Sequence, residues 1–201
     1  LGITPDSMRP SPILLAYAAA LESLVLGWGI AERAHRVRQA RDDAMYVAEH
    51  DGLTGALNRD ALHPRLDAAM TAPEPSTLLY LDVDHFKSIN DRHGHGVGDQ
   101  VLRRLAERCR GELRGVDTLA RLGGEEFVAL LSGLGIEEAG RVAERVRVAV
   151  ERDPAALEAV TISIGVAERR TGESVEAWMR RADQALYAAK QAGRNRVVLA
   201  A

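Results

Sequence analysis

Apolar and polar positions follow two different periods along most of the chain, and these periods predict both strands and helices. Apolar runs typical of strands lie at 78–84, 118–122, 128–131, 160–167 and 196–199. Apolar residues recur every three or four positions in segments that predict helices at 59–69, 86–93, 99–113, 137–150 and 174–192. The order of these elements, with one hairpin among them, predicts an α+β fold in which helices flank a mixed central sheet.

The N-terminal quarter of the chain has another pattern. Residues 1–12 are rich in Pro and Ser and predict a loop. Residues 13–30 are almost uninterruptedly apolar, which predicts a hydrophobic helix at the lower length limit of a membrane span. Several arginines follow at 33–41, as is typical of the cytoplasmic side of a span. A buried or dimer-forming helix is the alternative, and Glu22 favours it.

Residues 31–50 are charged and favour a helix, so a long helix is expected to precede the globular part of the chain. Small apolar residues in this segment recur near the three- and four-residue spacing of a weak parallel coiled coil. The segment therefore predicts a stalk that brings two copies of the following domain together. A single solvated helix is the alternative.

Composition narrows the class of protein. The 201 residues, 46% hydrophobic and 27% charged, suit one globular domain with an appendage. A net charge of −3 argues against binding to the phosphate backbone of a nucleic acid. Cys109 is the single cysteine, which excludes an internal disulfide, and its helical spacing predicts a core position. Because the chain begins with Leu1, we expect it to be part of a longer protein.

The stretch with the most distinctive chemistry is Arg121-Leu-Gly-Gly-Glu-Glu-Phe127. It predicts a β-hairpin with Gly123 and Gly124 at the turn, where positive φ and close approach to a ligand are possible. The adjacent carboxylates of Glu125 and Glu126 repel each other unless a cation or a proton lies between them. Mg²⁺, held by few carboxylates together with substrate phosphates, would relieve that repulsion. A solvated acidic turn is the alternative.

A second acidic segment ends another predicted strand. Leu78-Leu-Tyr-Leu-Asp-Val-Asp84 is followed by His85-Phe-Lys-Ser-Ile-Asn90. Acids at a strand end, opposite a glycine turn with two more acids, predict a metal-assisted nucleotidyl-transfer site. The glycines at 94–98 lack the pattern of a P-loop, and the acids at 82 and 84 lack the pattern of an EF-hand, so both of these site classes are excluded.

These motifs resemble the GGDEF family, the diguanylate cyclases, in a Gly-Gly-Glu-Glu-Phe variant. Asp51-Gly-Leu-Thr-Gly-Ala-Leu-Asn-Arg59 is similar to the motif with which the catalytic domain of that family begins. The resemblance covers residues 51–199 and implies a catalytic domain at 51–201. It also implies a fold related to polymerase palms and the condensation of two GTP molecules into cyclic di-GMP with release of two pyrophosphates.

The resemblance implies a site for Mg²⁺ or Mn²⁺. Asp82, the backbone carbonyl of Val83 and Glu125 would bind the metal, and Glu126 would be a further ligand in some states. Glu125 would also act as the base for the GTP 3′-hydroxyl. Asp84 is instead expected to cap the helix that follows it.

For the phosphates, the resemblance implies a set of cations and glycines. Lys87 would neutralise charge that develops during transfer. Lys190 and Arg194 would bind phosphates, although cations at a helix end are favourable without any ligand. Gly123 and Gly124 would let the hairpin backbone approach the phosphates.

For the base, the resemblance implies that Asn90 and Asp99 read guanine. A carboxylate accepts hydrogen bonds from guanine N1 and N2, which adenine does not offer, so Asp99 favours GTP over ATP. Asp99 is also in a position to cap the helix that it is predicted to open.

The segment Arg114-Gly-Val-Asp117 stands just before the hairpin. At this distance the resemblance implies an inhibitory site for the product, in which Arg114 and Asp117 bind cyclic di-GMP. In the family a second arginine, from a neighbouring domain, contributes to this site, and Arg141 and Arg145 are candidates for it.

The resemblance implies that two catalytic domains, each with one GTP, work as a homodimer in the cytoplasm. A tether to the bacterial inner membrane through residues 13–30 is expected. The main alternative is a catalytically silent GGDEF module that binds GTP or cyclic di-GMP as a receptor. An enzyme of mixed purine specificity and a membrane-anchored dimerisation protein are further alternatives.

Overall fold

The structure, a computed structural model, describes residues 12–153 and 160–200. The chain divides into two compact units, residues 1–48 and 49–201. The loop predicted for residues 1–12 lies outside the described residues, except at Pro12, where a helix begins.

Helix α1, Pro12–Glu49, is continuous and covers both N-terminal segments that were predicted separately. Several of its apolar side chains, among them Leu24, Trp28 and Val37, are exposed. In the part of the chain that the structure describes, no helix is both long enough and apolar enough to cross a membrane. The structure therefore gives no support to the membrane span predicted at 13–30.

The second unit contains five helices and five strands among its described residues. Asn58 begins the first of these helices, because its side chain accepts a hydrogen bond from the N–H of Ala61 at 2.9 Å. In chain order the elements are α2 Arg59–Thr71, β1 Ser76–Val83, α3 Phe86–His93, α4 His95–Glu112, β2 Thr118–Gly123, β3 Glu126–Ser132, α5 Ile136–Glu151, β4 Ile162–Glu168, α6 Val175–Gln191 and β5 Val197–Leu199.

The strands form one mixed sheet with the order β2-β3-β1-β4-β5. Strand β1 lies at the centre and is antiparallel to both β3 and β4, whereas β4 and β5 are parallel. The predicted hairpin is the antiparallel pair β2–β3. The α+β class with a mixed sheet flanked by helices is thus confirmed.

Helices cover both faces of the sheet, because successive side chains of each strand point to opposite faces. On one face, Leu79 and Leu81 of β1 pack in a core with apolar residues of α3, α4 and α5. On the other face, Leu78 packs in a second core with residues of α2 and α6. By this alternation Asp82 lies on the face of α2 and α6. The position of Asp82 relative to α6 is central to the candidate site.

Helix α6 lies unusually close to strand β4. A β-carbon at Gly165 would lie 2.1 Å from the backbone oxygen of Ala182 and 2.2 Å from the nitrogen of Leu186. Only glycine fits this contact without a shift of the backbone. The fully buried Trp178 of the same helix donates its indole N–H to the carbonyl of Ala167 at 2.7 Å. These contacts fix α6, and with it the position of Lys190.

The glycine-rich segment 94–98 differs from its prediction. It was expected to interrupt two helices as a loop, but only Gly94 does so, with φ of 82°. Helix α4 begins at His95, so Gly96 and Gly98 are helical. Asp99 consequently lies inside α4, and the expectation that it caps this helix is wrong.

Candidate functional site

The two acidic segments meet at one end of the central strand. Asp82 of β1 lies directly opposite Glu126 of β3 in the antiparallel register. The turn between β2 and β3 contains Gly124, with φ of 50°, and follows Gly123, with φ of 151°. Glu125 is at the tip of this hairpin. The predicted glycine turn is confirmed, and it places two carboxylates beside a third.

Asp82 is buried and carries an altered acidity. Burial raises the pKa of Asp82 above its usual range, and the negative charges of Glu125 and Glu126 raise it further. The ammonium of Lys190 lies 2.8 Å from the Asp82 carboxylate and opposes part of that shift. A buried carboxylate near two others is stabilised by a cation or by a proton, and Lys190 of α6 provides a cation in this structure.

The oxygen donors at this end of β1 suit Mg²⁺ or Mn²⁺. Over residues 12–153 and 160–200, no three His, Cys, Asp or Glu side chains are placed to hold a metal together. Mg²⁺ commonly takes only one or two carboxylates, together with water and substrate phosphates. Asp82, with the hairpin acids and the carbonyl of Val83 at the end of β1, offers oxygen ligands of that kind.

A side chain outside the predicted set holds the hairpin tip. Arg121 donates to the carbonyl of Gly124 from Nε at 3.0 Å and from Nη2 at 2.7 Å. Its Nη1 also contacts both carboxylate oxygens of Asp51, at 3.0 and 3.1 Å. Asp51, two residues after α1, is therefore connected to the hairpin turn through one guanidinium. Asp51 and Arg121 belong to two separate sequence motifs 70 residues apart, so local patterns do not reveal their pairing.

Asp51 is itself held in the charged form. Burial alone would raise the pKa of Asp51, but hydrogen bonds from the Thr54 hydroxyl and from Arg121 outweigh burial and hold it below the usual range. The Thr54 hydroxyl donates at 2.7 Å and its backbone N–H at 2.9 Å.

Asp84 does not do what the sequence predicted. Helix α3 has His85 at its N-cap, and no capping hydrogen bond from a side chain occurs there. The buried Asp84 carboxylate instead accepts hydrogen bonds from the hydroxyls of Thr161 and Ser163 and from the backbone N–H of Asn195. The expectation that Asp84 caps α3 is wrong because these distant donors occupy its oxygens.

The residues predicted to read the base lie on two successive helices. Asn90 belongs to α3 and Asp99 to α4. The Asn90 Oδ1 atom is fully buried and has no hydrogen-bond partner in the described part of the chain. An unpaired buried acceptor is costly, so this oxygen needs a donor from a ligand or from water. Lys87 is exposed on α3.

The predicted phosphate-binding residues surround the C-terminal end of α6. Lys190 pairs with Asp82, as described, and therefore reaches the acidic site. Arg194 is exposed, has φ of 64°, and is followed by Asn195 with φ of 46°. Positive φ is strained for residues other than glycine, and such strain is often found at functional sites.

Arg114 and Asp117, the predicted inhibitory pair, form an ion pair with each other. Arg114 donates to the Asp117 carboxylate from Nη2 at 2.7 Å and from Nε at 3.1 Å, and it also contacts the carbonyl of Ser132. A groove of about 520 Å³ lies beside this pair, with Arg65 and Arg110 among its lining residues. A ligand that uses both residues must compete with their own ion pair.

The candidate second arginines have partners of their own. Arg145 pairs with Glu112 at 3.1 Å, and Arg141 lies 4.0 Å from Glu138. Both arginines are exposed on α5, so these pairs contribute little to stability and can open for a ligand.

Comparisons with known proteins identify relatives of this chain. The family described as "Diguanylate cyclase, GGDEF domain" matches residues 48–196. The response regulator PleD of Caulobacter vibrioides is 40% identical over 173 residues, which are 81% of this chain and 38% of PleD. Diguanylate cyclase DgcM of Escherichia coli is 39% identical over 168 residues, 81% of this chain and 41% of DgcM. The chain therefore spans well under half the length of these curated relatives.

One solved structure matches more of this chain than the family model does. The crystal structure of the coiled coil and GGDEF domain of DgcB from Caulobacter crescentus, in complex with c-di-GMP, has a TM-score of 0.79 and 38% identity. The match covers 90% of this chain and all of the DgcB chain.

Proposed function

The chain belongs to the GGDEF family of diguanylate cyclases, and from that membership we propose that it condenses two GTP molecules into cyclic di-GMP and two pyrophosphates. The observation that carries the proposal is that buried Asp82, paired with the ammonium of Lys190, lies near the hairpin acids Glu125 and Glu126, whose charges raise its pKa. A site of this charge suits a reaction in which a metal and phosphates meet carboxylates.

GTP is the proposed substrate because Asn90 on α3 and Asp99 on α4 can both accept hydrogen bonds from guanine. Guanine offers hydrogen atoms on N1 and N2, and these suit the carboxylate of Asp99 and the unpaired Oδ1 of Asn90. Adenine lacks donors at those positions, so its binding would leave the acceptors of Asn90 and Asp99 unpaired. Such a mismatch costs on the order of 10²- to 10⁴-fold in affinity.

Asp82, the Val83 carbonyl and Glu125 would hold Mg²⁺ or Mn²⁺, with Glu126 as a further ligand. When bound, the metal would neutralise phosphate charge and lower the pKa of a hydroxyl beside it. Lys190 would leave Asp82 for a phosphate oxygen, because the Asp82 carboxylate cannot bind Lys190 and the metal fully at the same time. Nucleotide binding would thereby free Asp82 to bind the metal.

The remaining residues would bind and orient the nucleotide. Glu125, half-buried at the hairpin tip, would accept the proton of the 3′-hydroxyl. Lys87 and Arg194 would pair with phosphates. The turn at Gly123 and Gly124 would let backbone N–H groups approach them.

Each domain would hold one GTP, so activity requires a homodimer in which each domain presents its 3′-hydroxyl to the other nucleotide. Helix α1 is the proposed stalk that brings two domains together. The DgcB structure is described as a coiled coil with a GGDEF domain, which supports this assignment. Residues 13–30 and 31–50 would form one helical arm, with the catalytic domain at 51–201.

Product inhibition is proposed at Arg114 and Asp117. Relatives crystallised in complex with c-di-GMP support recognition of the product by the same domain. The guanidinium of Arg114 would separate from the Asp117 carboxylate, so that both side chains could form hydrogen bonds with guanine.

GTP as substrate places the proposed activity in the cytoplasm. The structure gives no support to a membrane tether through residues 13–30. A catalytically silent receptor for GTP or cyclic di-GMP is the second candidate, because Asp117 and Arg114 do not depend on the catalytic acids.

Nucleotide turnover distinguishes the two candidates. The protein is incubated with GTP and Mg²⁺, and the products are separated by chromatography beside a Glu125→Gln variant. We expect cyclic di-GMP and pyrophosphate from the parent and neither from the variant. Tight binding of cyclic di-GMP without any turnover by the parent would instead identify a receptor.

A further inference from the structure

Gly98 of helix α4 lies against the side chain of Asn90 on helix α3. A β-carbon at Gly98 would lie 2.0 Å from Asn90 Oδ1 and 3.0 Å from Asn90 Cγ. It would also lie 3.1 Å from Cζ of Phe86. Gly98 is buried and its φ is not positive, so its backbone does not require glycine. The space beside Asn90 is what requires it.

The same Asn90 Oδ1 is the buried acceptor without a partner among the described residues. An acceptor in that state raises the free energy of the folded chain unless a ligand supplies a donor. Glycine inside a helix is also less favourable than alanine. The unpaired oxygen of Asn90 and the helical glycine at 98 are both unfavourable, and they are in contact. Both are explained if the Asn90 amide must stay in its observed position.

We propose that Gly98 is a specificity-determining positioning residue, which keeps the Asn90 amide where its oxygen accepts a hydrogen bond from guanine. The inference rests on the proposed function, because it assigns the donor to the base of GTP. Gly98 acts through Asn90 and does not itself touch the nucleotide.

The Gly98→Ala substitution separates folding from recognition. Its methyl group displaces Asn90 Oδ1, which is the far end of a side chain that can rotate. The helix tolerates alanine well, so the melting temperature is expected to stay at or above that of the parent. The affinity for GTP falls about tenfold, the loss of one hydrogen bond. The affinity for ATP, which offers no donor to that oxygen, stays unchanged, so the preference for GTP narrows.

Gly96→Ala is the matched control. Gly96 lies in the same first turn of α4, and a β-carbon there meets no atom within 4 Å. This variant changes the same residue type in the same helix without reaching Asn90. Its affinity for GTP and for ATP is expected to equal that of the parent.

Calorimetric titration with GTP and with ATP, together with thermal unfolding, tests the inference. The set is the parent, Gly98→Ala, Gly96→Ala, Asn90→Ala and the double variant Asn90→Ala/Gly98→Ala. Once the Asn90 amide is absent, Gly98→Ala is expected to cause no further loss of GTP affinity. This lack of additivity distinguishes a role through Asn90 from a general effect on the helix.

Each remaining outcome decides the question. If Gly98→Ala binds GTP as the parent does, or if Gly96→Ala loses as much, the inference is wrong while the proposed cyclase stands. If the parent does not bind GTP, both fail. If Gly98→Ala does not fold, recovery of the parent's melting temperature in the double variant supports the contact with Asn90, and continued unfolding contradicts it.

Discussion

The buried carboxylate of Asp84 accepts a hydrogen bond of 3.0 Å from the backbone N–H of Asn195, which lies 111 residues further along the chain. Asn195 is held on its other side as well, since its amide oxygen accepts from Arg147 at 2.6 Å and its amide nitrogen donates to Glu151 at 2.7 Å. These bonds stabilise the strained backbone at Arg194 and Asn195. The second acid of the Asp-Val-Asp segment thus positions a loop that carries a proposed phosphate-binding arginine.

Replacing Asp84 by asparagine is expected to destabilise the fold by about 1–3 kcal/mol, because one buried donor loses a charged acceptor. Hydrogen exchange at residues 193–195 is expected to become faster. Chemical denaturation and exchange measurements check both effects. Asp91→Asn, an exposed acid on α3, serves as the control. Unchanged exchange at 193–195 would contradict the positioning role of Asp84.

The pair Asp51–Arg121 is expected to make stability depend on pH. The pKa of Asp51 is held below its ordinary value of 3.8, so the stabilisation is complete above that value and is lost as the pH falls through the lowered pKa. Asp51→Asn is therefore expected to be less stable than the parent at neutral pH, by about 1–3 kcal/mol. Below about pH 4 the difference is expected to shrink.

Thermal unfolding of the parent and Asp51→Asn across a pH series checks this dependence, with Asp67→Asn on the exposed face of α2 as the control. A difference in stability that is the same at every pH would show that the carboxylate charge of Asp51 is not the cause.

Local patterns predicted the elements well, whereas contacts between distant segments were missed. The glycines at 123 and 124 predicted the hairpin, and helix α3 has the predicted limits, because turn chemistry and periodicity are local. The Asp84 contacts span 77 to 111 residues, and an acid before a helix has the same local pattern whether it caps that helix or not. Gly96 and Gly98 were predicted to lie in a loop because glycine has a low helix propensity. They are helical in the structure, where helix α4 packs against α3.

The candidate site shows the same division. Sequence and family resemblance selected Asp82 and Lys190 separately, as a metal ligand and a phosphate ligand. The structure joins them in one ion pair, which no spacing rule predicts for residues on different elements.

That ion pair predicts competition between Lys190 and the metal. Lys190→Gln frees the Asp82 carboxylate, so the affinity for Mn²⁺ without nucleotide is expected to rise, by up to about fivefold for a partly exposed pair. The affinity for GTP is expected to fall, because a phosphate partner is lost. Titration with Mn²⁺ and then with GTP measures both. Lys87→Gln is the control, and it is expected to have a lower affinity for GTP and an unchanged affinity for Mn²⁺. Weaker Mn²⁺ binding by Lys190→Gln than by the parent would contradict the competition.

If Arg114 and Asp117 form the proposed product site, positive charge alone is insufficient at residue 114. Arg114→Lys keeps the positive charge but loses the planar fork that contacts Asp117 through two nitrogens. The affinity for cyclic di-GMP is expected to fall by about tenfold or more, the worth of one charge-assisted hydrogen bond. Equilibrium binding of cyclic di-GMP measures it, with Arg103→Lys on α4 as the control. Equal affinity in the two variants would place the product site elsewhere.

The central claim is that this chain is a cyclase built from two half-sites, and the rate of cyclic di-GMP formation tests it most directly. The rate is measured with GTP and Mg²⁺ over a series of protein concentrations, for the parent and for Glu125→Gln. The account predicts product from the parent alone, with a specific activity that rises with protein concentration until the dimer is complete. Absence of cyclic di-GMP at every concentration, or a rate that Glu125→Gln leaves unchanged, would contradict it.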